Sequence, residues 1–332
     1  MRRDEAHQQG YKVITTIDRE TQTKTEEAVD GVMTGQPDYL RAAMVSIDPH
    51  TGGVLAYHGG GTGTGLDYAQ TPQEAGTSFA PFVAAAALQQ GFRLDSPVDG
   101  GSSRMVDGIP FQNPAGVVCS PCTLRKALQQ PVNTAMAAIA VKAGTDKVAE
   151  AAYLAGIPRE LRGRPTMTQK PGESPDARIA IGSGSTMVRA IDMASAYATL
   201  AADGKRSVPY FVLRVEDHAG SVRYEGAPQR SPGLSPRVAR AITEALTQDG
   251  VAVKPGVRAF GDSGASAKAW MVGYTPDIAT AVWIGSDQLR AIKNKQGKDI
   301  TAQGEPTVIW RATMDAYHST RPTPAARPVP SR

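Results

Sequence analysis

The chain has 332 residues, enough for about two domains or one large one. A hydrophobic share of 41% with 20% charged residues excludes wholesale disorder and provides for a real core. The balance of 36 basic against 32 acidic residues leaves +4, and no Lys/Arg cluster interleaved with aromatics points to nucleic acid.

Read in chain order, Tyr11–Asp18 (YKVITTID) alternates and is rich in β-branched residues, which predicts a strand. Glu20–Met33 has helical spacing. Ala42–Ile47 and Val54–Tyr57 flank a Pro/Gly turn and predict a hairpin. The glycine-rich His58–Gly65 reads as a loop. It lacks the Gly-Lys-Ser/Thr of a P-loop and misses the G-x-G-x-x-G spacing. Phe79–Gln90 is an Ala-rich helix, too short to cross a membrane; no apolar run reaches the ~18 residues a span needs. The polar Met1–Gly10 does not read as a secretory signal.

Asp95–Cys122 is expected to be irregular. Helices are predicted over Thr123–Leu128, with Thr123 as N-cap, and over Thr134–Ala143, Asp146–Leu154 and Val188–Ala202. Strands follow over Tyr210–Asp217 and Ser221–Tyr224, then a helix over Pro236–Thr247. Ala269–Tyr274 and Ile278–Gly285 are strands, and Thr307–Tyr317 is a helix. Ser319–Arg332, rich in proline and arginine and free of acids, reads as a disordered tail. Strands near both ends of the chain thus bracket a helix-rich middle, which suggests one sheet completed from both ends.

Cys119 and Cys122 are the whole cysteine supply. Two thiols fall short of the four ligands of a structural zinc site. A local disulfide in an oxidising compartment is the preferred reading, with two free thiols as the alternative. Gly261-Asp262-Ser263-Gly264 invites comparison with a serine-protease nucleophile loop. None of the five histidines sits in a setting that would complete a triad. Asp48, Asp67, Asp95 and Asp99 stand at turns, where Asp is favoured for backbone reasons. No metal or cofactor motif emerges, and spacing alone yields no intact catalytic constellation.

Several blocks together resemble the transpeptidase domain of class A (bifunctional) penicillin-binding proteins. Gly10–Asp18 looks like its opening, and Ala43–Gly52 like its first hairpin. Gly76–Phe82 (GTSFAPF) looks like the loop and helix that carry the nucleophile. Thr123–Thr134 resembles the helix before the second motif, Ile191–Ala198 the helix near the sheet, and Trp270–Asp277 the strand after the third motif. The resemblance runs from Gly10 to Tyr317, and the C-x-x-C looks like an actinobacterial variant. It implies an α/β fold of the serine β-lactamase-like type. That fold is an α/β/α sandwich with a five-stranded, mainly antiparallel sheet and a helical subdomain over roughly residues 85–180. Residues 1–9 would be a linker remnant, and residues 319–332 a tail. It further implies a place outside the cytoplasmic membrane, with an anchor upstream. Met1–Gln9 leaves no room for the glycosyltransferase domain that class A members carry.

The family's chemistry uses S-x-x-K, S-x-N and K-T-G. The resemblance puts Thr77 at the nucleophile position and Ala80 at that of the lysine base. Pro131-Val132-Asn133 replaces the second motif, and Asp262-Ser263-Gly264 the third. Thr77 keeps a hydroxyl but adds a stiffening methyl. Ala80 offers no base, a loss that typically costs about 10²–10⁴-fold. Pro131 has no hydroxyl to relay a proton. Asp262 inverts the charge where a carboxylate should bind, a repulsion of roughly 1–4 kcal/mol at about 4 Å. These changes together predict a catalytically inactive domain with a binding, scaffolding or regulatory role in peptidoglycan assembly. Its partner would be a stem peptide, preferably amidated or amine-bearing, or another wall enzyme. The alternatives are an active D,D-transpeptidase acylated at Thr77 or Ser78, and a structural module supporting an attached domain. Lys268 could fold back toward the site, though nothing in the sequence requires it.

Overall fold

The computed structural model describes residues 10–61, 65–130, 132–246, 258–261, 268–286, 288, 290–319 and 321. Along the chain β1 (Lys12–Thr15) leads to α1 (Arg19–Met33), then to β2 (Leu40–Ile47) and β3 (Val54–His58). A two-residue strand β4 (Gln73–Glu74) and a 3-10 turn (Gly76–Phe79) introduce α2 (Ala80–Gln89). Four short strands follow: β5 (Pro97–Gly100), β6 (Ser103–Val106), β7 (Ile109–Gln112) and β8 (Cys119–Thr123). Next come α3 (Leu124–Gln129), α4 (Asn133–Ala143) and α5 (Thr145–Ala155). After the small ribbon β9 (Glu160–Leu161) and β10 (Arg164–Pro165), β11 (Met187–Val188) precedes α6 (Ala190–Ala201). The strands β12 (Arg206–Ser207), β13 (Val212–Glu216), β14 (Val222–Glu225) and β15 (Arg230–Ser231) lead to α7 (Pro236–Ala245). The chain closes with β16 (Arg258–Gly261), β17 (Lys268–Tyr274), β18 (Ala279–Ser286) and α8 (Glu305–Ser319).

The central sheet has five antiparallel strands in the order β16-β17-β18-β2-β3. It is completed from both ends of the chain, as the strand pattern suggests. Its inner strands read as nearly continuous apolar runs because both faces are covered. Side chains alternate between the faces. Trp270, Val272 and Tyr274 of β17, with Ala281 and Trp283 of β18 and Val45 of β2, face the core that contains α2, α4, α5, α6 and α7. Met271, Val282 and Met44 face the other way, against Val29 of α1 and Ile309, Trp310 and Met314 of α8. Those two helices also meet through the buried hydroxyl pair Thr25 and Thr313, 3.0 Å apart. The result is three layers, helices on a sheet on helices.

Helix α2 is buried along almost its whole length, Ala80 through Leu88. Its small side chains let α4, α5 and α7 approach it from several sides. Asp18 caps α1, accepting from the Thr21 backbone N–H at 3.0 Å, and receives Arg321 at 2.6 Å. Burial raises the affinity of the Asp18 carboxyl for its proton. The hydrogen bonds from Thr21 and Arg321 outweigh that and hold it below the usual carboxylate range.

Three expectations change. Tyr11–Asp18 does form a strand, but β1 joins β13 and β14 in a separate three-stranded sheet. Asp95–Cys122 is not irregular. β5 pairs with β8 and β6 with β7, in strands too short and too polar to leave a periodic signal. Ser319, placed in the tail by its composition, ends α8, and Arg321 binds Asp18. Residues 1–9, 320 and 322–332 lie outside the described residues.

Cys119 and Cys122 are joined as a disulfide within β8, both buried. Gly100 faces them across the ladder, where an added Cβ would lie 2.7 Å from the Cys119 carbonyl oxygen. Closing so short a loop removes about 2 kcal/mol of unfolded-state entropy. The Cys119→Ala/Cys122→Ala variant is therefore expected to lose about 2 kcal/mol in denaturant unfolding. An unchanged midpoint would show that the bridge adds nothing to the packing of β5 on β8.

Candidate active site

The cleft is anchored by the turn Gly76–Phe79, which hands the chain from β4 into α2. Gly76 has φ +62°. Its N–H donates to the Gly182 carbonyl at 3.0 Å. Gly182, itself left-handed at φ +56°, lies so close that an added Cβ would sit 2.2 Å from the Gly76 oxygen. Only glycine permits this approach.

On that turn Thr77 is half-buried, while Ser78 is wholly buried. The Ser78 hydroxyl donates inward to the Ala75 carbonyl at 2.5 Å, and the Ser78 carbonyl accepts from Tyr197 Oη at 2.8 Å. Burial pushes the Tyr197 phenol well above its ordinary range, so it stays a proton donor here. Ser78 is thus a core residue rather than a second candidate nucleophile. Ala80, one turn on, is 3% exposed and packs in the core.

Asn133 opens α4, and its amide Nδ2 donates to the Gln112 carbonyl at 3.0 Å. Thr134 ties the same helix start to the neighbouring loop. It donates to Gly101 O at 2.7 Å, and its backbone N–H reaches Asn113 Oδ1 at 3.0 Å. The β6–β7 hairpin is thereby lashed to the helix that opens with Asn133. Pro131, Asp262, Ser263 and Gly264 lie outside the described residues. The edge strand before the last three ends at Gly261, opposite Met271.

Sequence reasoning left Lys268 open, and the structure gives it a place. It shares the face of β17 that carries Trp270, Val272 and Tyr274, and it is 9% exposed. Its Nζ meets Glu74 Oε2 at 2.6 Å. Trp270 Nε1 donates to the Glu74 carbonyl at 2.9 Å, and Gly184 N–H donates to Glu74 Oε1 at 3.0 Å. Glu74 is thus a junction joining β17, the β4–β11 ribbon and the loop before β11, three residues ahead of Thr77. The only hint in the sequence was a lysine two residues before a strand tryptophan, hence on the same face.

The arrangement therefore offers a half-buried hydroxyl at Thr77, a methyl at Ala80, an amide at Asn133 and a buried ammonium at Lys268 held by a carboxylate. Among the described residues no group of His, Cys, Asp and Glu is placed to hold a metal ion. No helix among them is long and apolar enough to cross a membrane.

This geometry has known counterparts. Residues 42–311 match the penicillin binding protein transpeptidase domain. Penicillin-binding protein 1A of Mycolicibacterium smegmatis is 37% identical over 92% of this chain, and that of Mycobacterium tuberculosis 38% over 92%. The chain spans 41% and 40% of the lengths of these two relatives. The structure of PonA1 from Mycobacterium tuberculosis in complex with penicillin V superposes with a TM-score of 0.90 at 36% identity, covering 100% of this chain and 92% of that one. Penicillin-binding protein A from M. tuberculosis, at 19% identity and a TM-score of 0.75, shares the fold. With the sheet order, the turn into α2 and these relatives in agreement, the chain belongs to the penicillin-binding protein transpeptidase family.

Proposed function

We propose that this chain is a peptidoglycan-binding transpeptidase domain that has given up acyl transfer and acts as a binding or regulatory module in wall assembly. The observation that carries the reading is Ala80. The resemblance places a lysine base there, and this chain puts a buried methyl in its stead. Without a lysine base at residue 80, the Thr77 hydroxyl is a poorer nucleophile at neutral pH. Ser78 offers no substitute, because its hydroxyl is spent on the Ala75 carbonyl. The departures at Pro131 and Asp262 support the same reading from the sequence. The domain would work outside the cytoplasmic membrane, and the Cys119–Cys122 disulfide suits an oxidising compartment. Its ligand would be a stem peptide of the wall polymer or a second wall-synthesis protein.

A second reading is favoured by Lys268. A buried ammonium beside Glu74, on the segment that leads into Thr77, is the kind of group an active transpeptidase would need if its base had moved. Its Nζ is engaged by Glu74 Oε2 at 2.6 Å, so that contact would have to open before Lys268 could serve Thr77.

The binding reading is tested by co-sedimentation with purified peptidoglycan sacculi. The chain is expected to pellet with them, and to the same extent after pre-incubation with a β-lactam. Failure to pellet would remove the wall polymer as the ligand.

A further inference from the structure

We propose that the face formed by the end of α5, the β12–β15 ribbon and the start of α7 binds a linear polyanion whose repeating charge is phosphate. This goes beyond the binding reading above, because the face uses none of the residues around Thr77.

Contacts between distant segments assemble the face. The Arg159 guanidinium lies over the Tyr153 ring near the end of α5, 4.4 Å from its centroid. Arg206 Nη1 donates to the Tyr153 carbonyl at 3.2 Å, which brings β12 to the same place. β12 pairs with β15, Arg206 opposite Ser231 and Ser207 opposite Arg230. Gly204 lies so close to Leu234 that an added Cβ would sit 2.2 Å from the Leu234 carbonyl oxygen. That approach sets the start of α7, with Arg237, against the segment that carries Lys205. Arg240, one turn further along α7, meets Asp203 at 3.0 Å.

These contacts bring six cations together with two carboxylates. Both carboxylates are engaged: Glu150 holds Arg159, and Asp203 holds Arg240. Among the described residues no carboxylate pairs with Lys205, Arg206, Arg230 or Arg237. Four unmatched charges on one face equal the net charge of the whole chain, +4. The adjoining β9–β10 ribbon adds Arg162 and Arg164 against Glu160.

Arg206 points to a ligand. It is half-buried, its Nε is buried without an acceptor, and no described acceptor meets its Nη2. Burial lowers its affinity for the proton, and Asp192, which opposes that shift, is already bound by Arg189. Such a guanidinium has lost hydration without gaining an acceptor, which costs free energy. An anion at Nη2 would offset that cost. Arg237 stands in the first turn of α7, where the helix dipole favours an acid. Both placements are unfavourable in the free chain and favourable beside a bound anion.

Five of the six cations are arginines, whose planar forks match phosphate oxygens in pairs. The unmatched charges are spread over several elements, which suits a chain of anions better than a single small one. The Tyr153 ring is already covered by Arg159, so it is not open to stack a base. None of the exposed large hydrophobic side chains belongs to these segments, whereas a membrane-docking face sets such side chains beside its cations.

The test titrates the full chain with long-chain inorganic polyphosphate at about 0.15 M salt. The native chain is expected to bind. The variant Lys205→Gln/Arg230→Gln/Arg237→Gln is expected to weaken binding about tenfold or more. It is also expected to flatten the slope of log affinity against log salt by about 2. The control Lys295→Gln/Lys298→Gln/Arg311→Gln removes the same charge on the α8 side of the central sheet and is expected to keep the native slope. Arg206→Lys, which keeps the charge and loses the fork, is expected to weaken binding severalfold. No binding by the native chain, or equal losses in the two triple variants, would overturn the proposal. So would tighter binding to mixed phosphatidylglycerol and phosphatidylcholine vesicles than to polyphosphate, which would make the face a membrane surface. None of these variants touches Thr77 or its turn. A chain that binds polyphosphate and fails to pellet with sacculi would refute the binding reading and leave this one standing.

Discussion

Replacing Gly182 by alanine is expected to destabilise the domain by about 3 kcal/mol or more, and to do so at the candidate site. Two effects add. The left-handed backbone at φ +56° costs an L-residue with a side chain about 1–2 kcal/mol. The new Cβ would also lie 2.2 Å from the Gly76 oxygen and 2.7 Å from its nitrogen, both backbone atoms. Backbone cannot rotate away as a side chain can, so the turn that carries Thr77 must move. Gly91→Ala is the control. Its φ is +90°, but nothing lies within 4 Å of the added Cβ. It carries the strain without the clash. A thermal melt that places the two variants at the same midpoint would show that the Gly76–Gly182 approach does not hold the turn.

The second large effect is chemical. The variant Thr77→Ser/Ala80→Lys/Asp262→Lys, with Pro131 left in place, is expected to react with penicillin V about 10²–10⁴-fold faster than the native chain. That is the factor a positioned general base typically supplies. Thr77→Ser alone is expected to change little, because residue 80 would still carry no lysine base. Ala80 is buried, so the new lysine must send its amine out along the turn toward residue 77. Circular dichroism would show whether the variant has folded around it. Should Thr77→Ser alone reach the rate of the triple variant, the base comes from elsewhere in the chain, and Lys268 becomes the first residue to replace.

The parts of the fold that were legible in the sequence are those where one physical pattern dominates. The inner strands announce themselves as apolar runs, and α1, α2 and α6 by their spacing and good helix formers. β5 to β8 were missed because Pro97–Gly100 and Cys119–Thr123 hold Pro, Gly, Ser and Asp where strands prefer branched and aromatic residues. They pair because the fold brings them together, with the disulfide on one side and α4 on the other. β16, at four residues ending in glycine, was equally silent.

The site divides the same way. Thr77, Ala80 and Asn133 were singled out because they sit in blocks that resemble the family's motifs, and the structure puts Thr77 and Ala80 on one turn of chain. The Ser78 hydroxyl points into the core, which no local pattern reveals. The Lys268–Glu74 pair joins residues 194 positions apart in sequence. Such a contact exists only once β17 lies beside the β4–β11 ribbon, so charge counting along the chain could not find it.

The central claim is that the acyl-transfer chemistry is gone while the fold remains. It is tested most directly by the intact mass of the native chain after incubation with excess penicillin V. The account predicts an unchanged mass. A stoichiometric increase by the mass of one penicillin, mapped by peptide digestion to Thr77, would contradict it and make the chain an acylatable penicillin-binding enzyme with its base at a new position.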